Sequence, residues 1–352
     1  MARCGLARAM MLWGPCGLLL LGALALRVRS HLHEQALFLP VAPAPEDASW
    51  ANAGPDVREG MKPRARVPIR PPRDYVSEPA VAEGEERRGP RVIFSLAPNV
   101  TETLCALGLL DRLAGRTQFC SYPPAVGRVP VIGGLRDANL ELIRAANPEL
   151  VMTAANSEAV NQKLAALGIR GEPLPHGTLA EVFTAIERAG AVCDRPATAR
   201  NLVTALRADL DSLSAAARQQ GARPLRVLMV TGELPVPPRA LWVAGPGLFL
   251  DELLRLAGHL NAAAEVITTP FGEIPLERLL VLDPDVILTF PGRPPTAEEQ
   301  IAAYRSWWRV GDLKAIRRRR VRVIGGSEWL SATPRVAIAL HRLITVLGEF
   351  QD

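Results

Sequence analysis

The sequence predicts an α/β fold of two Rossmann-like lobes with parallel sheets, joined by one long connecting α-helix. Two observations carry that prediction. Residues 139–153 read N-L-E-L-I-R-A-A-N-P-E-L-V-M-T, and residues 275–289 read P-L-E-R-L-L-V-L-D-P-D-V-I-L-T, the same stretch 136 residues apart. Each copy has Leu-Glu, a Pro seven residues after the Glu, an acidic residue and a run of branched apolar residues. A helix that must stop at Pro148 or Pro284, followed by a strand buried on both faces, is the αβ half of a parallel-sheet unit. The second observation is the segment between the copies. Ala197–Gln219 places Leu202, Leu206, Leu210 and Leu213 on one stripe and contains no Gly or Pro, so it reads as a helical rod of about 34 Å. Two similar lobes imply a ligand cleft between them.

The elements run in order along the chain. Arg91–Leu96 is a short buried strand, ending in Ala97-Pro98-Asn99, and T-E-T-L-C-A-L-G continues as a helix closed by Gly108. Asn99 with Glu102 three residues later fits a capping box. Leu113–Thr117 is the second strand, leading to the loop Gln118–Pro124; 149–154 is the third, and Glu158–Leu167 is a helix. The N-terminal lobe is expected over 91–176 and helical connections over 177–222, with a break at Asp194-Arg195-Pro196. The C-terminal lobe, 223–352, opens with the strand Leu225–Val230. It continues through the helix Leu248–Leu256, the repeated unit, the strand Val321–Ile324 and the helix Pro334–Leu347. Ligands of such lobes gather at the carboxyl ends of the strands. Here those are Ala97–Asn99, Phe119–Tyr122, Thr231–Pro235 and the loop after Ile324.

The first 90 residues differ from the rest. Arg3 and Arg8 precede an uncharged run from Ala9 to Leu26, so residues 1–30 read as a signal peptide or an uncleaved membrane anchor. Both export the rest of the chain, to the periplasm or another extracytoplasmic space. Residues 31–90 read as a Pro-rich flexible linker; its Pro-rich part from 40 to 90, about 50 residues, has a root-mean-square reach of roughly 40 Å. The net charge of +5 comes from Arg, with a run at Arg317–Arg320. Without interleaved aromatics it reads as a solvated turn, and no nucleic-acid partner is expected. Outside the export segment only Cys105, Cys120 and Cys193 remain. They cannot all pair; a Cys105–Cys120 disulfide is compatible with an oxidising compartment.

No catalytic constellation stands out. His176, His259 and His341 lie apart and outside any metal-ligating spacing, so each reads as a surface or cap residue and no metal site is expected. The phosphate-binding and nucleophile-elbow glycine motifs are absent. The chain reads as a binder rather than an enzyme, with no cofactor required. Aromatics are scarce, and Phe119, Tyr122, Trp242, Phe271 and Trp329 all fall in loops expected to face the cleft. Rigid flat side chains there suit a large, apolar or planar ligand. Trp307-Trp308 reads as packing.

R-V-I-F-S-L-A-P-N-V-T-E-T-L-C-A-L-G-L, F-C-S-Y-P-P, G-G-L-R-D-A-N-L-E-L-I, P-D-V-I-L-T and E-W-L-S-A-T-P-R together resemble the substrate-binding proteins of cobalamin and metal-chelate ABC importers. The resemblance covers about residues 91–350. It implies a monomer that captures a corrinoid between the lobes and delivers it to permease subunits. An iron-siderophore or haem binder is the alternative ligand class, and a membrane-tethered sensor or scaffold the alternative role. The resemblance places Phe119 against the corrin ring, Phe271 where a ligand-facing Trp usually sits and Trp329 in the last cleft loop, while Ala97 and Pro98 are expected at the ligand from their place at a strand's carboxyl end. Glu141 and Glu277 match the two lobe-top carboxylates that dock onto the permease. Leu135 stands where such proteins often have Trp, and no Cys pair matches the lobe-two disulfide of some relatives.

Overall fold

A computed structural model describes residues 69–85, 89–135, 137–232, 240–292 and 295–351, all within the unit Trp50–Asp352. The expected export segment and residues 31–68 and 86–88 of the linker lie outside the described residues. Among the described residues no helix is long and apolar enough to cross a membrane.

Lobe one holds β1 (Ile93–Ser95), α1 (Pro98–Ala106), β2 (Leu113–Arg116), α2 (Leu140–Ala145), β3 (Leu150–Ala154), α3 (Glu158–Ala166) and β4 (Gly171–Leu174). Its sheet runs β2-β1-β3-β4 and is wholly parallel. β4 was not evident in the sequence because Pro173 interrupts it; as an edge strand it tolerates the missing donor. Two helices then carry the chain across: α4 (Leu179–Val192), opened by a Thr178–Glu181 capping box, and the 24-residue α5 (Pro196–Gln219).

Lobe two holds β5 (Arg226–Thr231), β6 (Ala240–Ala244), α6 (Phe249–Leu256), β7 (Leu260–Asn261), β8 (Phe271–Pro275), α7 (Leu276–Leu282), β9 (Val286–Phe290), α8 (Ala297–Trp308), α9 (Lys314–Arg317), β10 (Val321–Val323) and α10 (Val336–Gly348). This sheet is mixed rather than parallel throughout. β10, β9, β5 and β7 run parallel, whereas β6 is antiparallel to β5 and β8 antiparallel to β6. Trp242 and Phe271 therefore lie on strands, not in loops.

The repeat is realised in matching geometry. α2 leads to β3 and α7 to β9, both strands fully buried. Asn147 and Asp283, the equivalent residues before Pro148 and Pro284, both take left-handed backbone with φ of 48° and 40°. Asn and Asp reach that region more readily than other non-glycine residues, so each helix is turned sharply into its strand.

One continuous apolar core joins the lobes: Val100 and Leu104 of α1, Leu206 and Leu213 of α5, Met229 of β5 and Leu340 of α10 all belong to it. Polar links reinforce the seam. The amide of Phe249 donates to the Gly177 carbonyl at 2.6 Å, the Leu179 amide to Glu252 at 2.6 Å, and Ser214 Oγ to the Leu256 carbonyl at 2.8 Å. Trp307 is buried as expected. His259, expected at the surface, is in the core, where its Nδ1 accepts the Leu225 amide at 3.2 Å. The Arg run is only partly a solvated turn, since Arg320 is buried. Cys105, Cys120 and Cys193 are all buried and unpaired, so the Cys105–Cys120 disulfide is not formed.

Described residues from Ile69 already pack on the body, where the composition indicated a linker as far as residue 90. Val76 is buried in the shared core. The Ile69 carbonyl accepts His341 Nε2 of α10 at 3.0 Å, and Tyr75 donates to Asp209 of α5 at 3.0 Å. Glu85 caps α5, accepting the amides of Ala197 and Thr198 at 2.9 and 3.0 Å and the Thr198 hydroxyl at 2.7 Å.

Candidate functional site

Side chains alternate along a strand, which decides where the aromatics of lobe two look. On β6, Leu241 and Val243 point into lobe two's own core. Trp242 points to the opposite face, the one that Val227 and Met229 of β5 and Leu288 and Phe290 of β9 present to the interlobe core. Phe271 on β8 shares that face, diagonal to Trp242 across the pair Trp242–Glu273. The two rings stack, centroids 5.4 Å apart and planes 18° from parallel. Trp242 is 52% exposed and Phe271 45%. A stacked, open aromatic platform thus continues the interlobe face past its buried part.

On lobe one, Phe119 is 51% exposed. Arg116 at the end of β2 pins its loop, donating to the carbonyls of Thr117 and Cys120 at 3.2 and 2.9 Å. The Gln118 amide donates to the Gly133 carbonyl at 2.9 Å. A Cβ at Gly134 would stand 3.6 Å from the Phe119 ring, so this ring lies beside the loop that carries exposed Leu135. Ala97 is buried and Pro98 half-buried at the end of β1.

Tyr122 and Trp329 have another setting. Trp329, 1% exposed, stacks on Phe290 with centroids 4.8 Å apart. Tyr122 is half-buried under Arg335, whose guanidinium carbon lies 3.8 Å from the ring centre. Arg335 joins the lobes. It donates to both carboxylate oxygens of Glu102 on α1, at 2.8 and 2.6 Å, and to Glu328 at 3.0 Å. Glu328 also pairs with Arg342, which lies over the Trp329 ring at 5.4 Å. Within this group of Glu102, Glu328, Arg335 and Arg342 the formal charges balance, two against two. Burial pushes the Glu102 carboxyl up against the opposing pull of Arg335, and burial lowers Arg342.

Sequence reasoning gave this network no role. The Asn99–Glu102 spacing fits a capping box, but α1 is capped at Ala97 with Pro98 in its first turn, and Asn99 and Glu102 are buried within the helix. The one usable signal was that Glu102 and Arg335 both lie in segments that carry the family resemblance. Exposed Leu330, beside Trp329 in chain, was also missed.

Glu141 and Glu277 are exposed in the first turns of α2 and α7. Asn139 caps α2, accepting the Glu141 and Leu142 amides at 3.1 Å each. Among the described residues no group of three or more His, Cys, Asp or Glu could hold a metal ion.

Comparison with known proteins agrees with this architecture. A vitamin B12-binding protein of Vibrio cholerae is 28% identical over 262 residues, 72% of this chain and 88% of that protein. An uncharacterised ABC transporter substrate-binding lipoprotein of Bacillus subtilis is 27% identical over 263 residues, 73% of this chain and 80% of the other. The crystal structure of a periplasmic vitamin B12 binding protein of Vibrio cholerae superposes with a TM-score of 0.62 at 24% identity, covering 74% of this chain and 98% of that one. A periplasmic haem binding protein from Pseudomonas aeruginosa gives 0.64 at 22% identity, covering 75% and 94%. Residues 93–327 match the family model described as periplasmic binding protein, and the chain belongs to that family.

Proposed function

We propose that this protein is an exported solute-binding component of an ABC importer that holds a corrinoid between its lobes and releases it to the permease unchanged. The observation that carries this reading is the open Trp242–Phe271 platform on the interlobe face of lobe two. A flat macrocycle would bury two rings there that are already ordered by their strands, so little entropy is lost on binding. Phe119 supplies an apolar surface from lobe one. The floor between the lobes is charged but internally satisfied, which suits a ligand held by its apolar faces. The two sequence relatives support the transport role and the ligand class. In this reading the protein works as a monomer, needs no cofactor, and is tethered to the membrane if its N-terminal segment is retained.

Titration calorimetry of the full chain with cobalamin, cobinamide, haem and a ferric siderophore tests it. A corrinoid should bind at one-to-one stoichiometry without added metal or nucleotide. Trp242→Ala and Phe271→Ala should each weaken it by roughly tenfold or more, as loss of an aromatic anchor does. Silence with both corrinoids beside tight uptake of haem or the ferric chelate would overturn the corrinoid reading.

A further inference from the structure

Residues 69–85 lie outside the family match at 93–327, yet they are anchored on both lobes and on the crossing helix α5. Ile69 is held by α10 of lobe two, Tyr75 by the middle of α5, and Glu85 by the first turn of α5. Between these anchors the strap reaches lobe one. Asp74 makes a tight turn with Oδ1, accepting the Val76 and Ser77 amides at 3.1 and 3.2 Å. Its second oxygen accepts the Tyr122 hydroxyl, and Ser77 Oγ lies 3.0 Å from the same phenol. The ring so held is the one that Arg335 of lobe two covers.

We propose that residues 69–85 are an interlobe strap whose Asp74 is a positioning residue, holding Tyr122 on Arg335 and so fixing the loop that presents Phe119. Arg116 secures that loop only through backbone carbonyls, those of Thr117 and Cys120 before Tyr122 and those of Val126 and Val129 after it. Tyr122 lies between these points, and the partners of its hydroxyl, Asp74 and Ser77, both belong to the strap. Without Asp74 the phenol keeps Ser77 as partner but loses its charged acceptor, and charge-assisted bonds are about twice as strong as neutral ones. The strap thereby adds a connection between the lobes to the shared apolar core, the α4–α5 crossing and the Glu102–Arg335 pair. Its effect on ligand retention rests on the binding role proposed above; its effect on the loop does not.

Peptide-resolved hydrogen exchange on the ligand-free full chain is the test. Asp74→Ala should raise exchange across 117–126 about fivefold or more while leaving β5 and β9 unchanged. Tyr122→Phe, which keeps the ring on Arg335 but removes the hydroxyl, should do the same, and the double variant should add little to either. Asp74→Asn, which retains the turn through Oδ1 but sets an uncharged NH2 where the phenol's acceptor stood, should fall between the unmodified chain and Asp74→Ala. Unchanged exchange in 117–126, a rise spread evenly over the body, or simple addition of the two single effects would each overturn the strap's positioning role. With cobinamide as probe, Asp74→Ala should speed dissociation by a similar factor, and an unchanged dissociation rate would remove the strap from ligand retention. If the unmodified chain binds no corrinoid, the ligand reading fails, while the exchange result still decides the strap.

Discussion

Arg335 covers the ring of Tyr122 with its guanidinium carbon 3.8 Å from the ring centre, and the two residues come from opposite lobes. The same guanidinium is spent on Glu102, 233 residues away in sequence. Removing it leaves the buried Glu102 with no other ion-pair partner among the described residues, while Glu328 keeps Arg342.

Arg335→Met should therefore destabilise the protein by about 3–5 kcal/mol, the usual cost of breaking a buried pair from one side. Glu102→Gln combined with Arg335→Met should recover part of that loss, because the uncompensated charge is gone. Urea unfolding of both variants checks this, and a double variant no better than Arg335→Met would contradict it.

Acid should act through His259. Burial lowers its imidazole to about 4, below the unfolded value near 6.5, so the folded state prefers the neutral ring whose Nδ1 accepts the Leu225 amide. The stability this contributes is fully present above pH ~6.5 and is lost as pH falls toward ~4, amounting to about 3 kcal/mol. His259→Asn, which offers an oxygen to the same amide, should flatten the unfolding free energy over that interval. A profile equally steep in the variant would assign the acid sensitivity to other groups.

Ligand should change the overall shape little. α5 packs on elements of both lobes, and the Phe249–Gly177 and Leu179–Glu252 bonds tie the crossing segment directly to α6. Small-angle scattering with and without ligand should give radii of gyration that agree within error. Marked compaction would mean that these seams open.

Docking and capture should separate cleanly. Glu141 and Glu277 are exposed, and a first-turn Glu contributes only about 0.3–1 kcal/mol to its helix. Charged contacts across an interface can reach more than about 1.5 kcal/mol each. The double variant Glu141→Ala/Glu277→Ala should fold and bind ligand normally, yet uptake in a reconstituted importer should fall roughly tenfold or more. Normal uptake would leave both Glu as residues that merely suit the helix dipole.

Which parts were readable in the sequence depends on where their partners lie. The repeated αβ unit and α5 are specified by neighbours within a few turns, so periodicity, Asn147-Pro148 and Asp283-Pro284 announce them. β6 and β8 are short strands at one side of their sheet, β8 is broken by Gly272 and Pro275, and turn residues flank both, so Trp242 and Phe271 read as loop positions. The strap offers one buried apolar side chain, Val76, and is otherwise held by hydrogen bonds to residues far along the chain, Tyr122, Thr198 and Asp209 among them. Its Pro-rich composition looks like a linker because none of these partners is local. Glu102 shows a further limit, since one spacing fits both a helix cap and a cross-lobe ion pair.

The three buried cysteines make the native protein report on its own opening. Burial pushes Cys105 and Cys193 up to about 12 and raises Cys120 as well. Attack on a reagent requires the thiolate, and at neutral pH a thiol near 12 is ionised in only about one molecule in 10⁵. Modification must then wait for excursions that wet the sulfur. Cys105 sits in α1 beneath lobe one, whereas Cys193 closes α4, where a Cβ at Gly89 would strike its carbonyl. Alkylation tracked peptide by peptide would thus time two distinct breathing motions, one inside a lobe and one at the seam beside the crossing helices, without any introduced label.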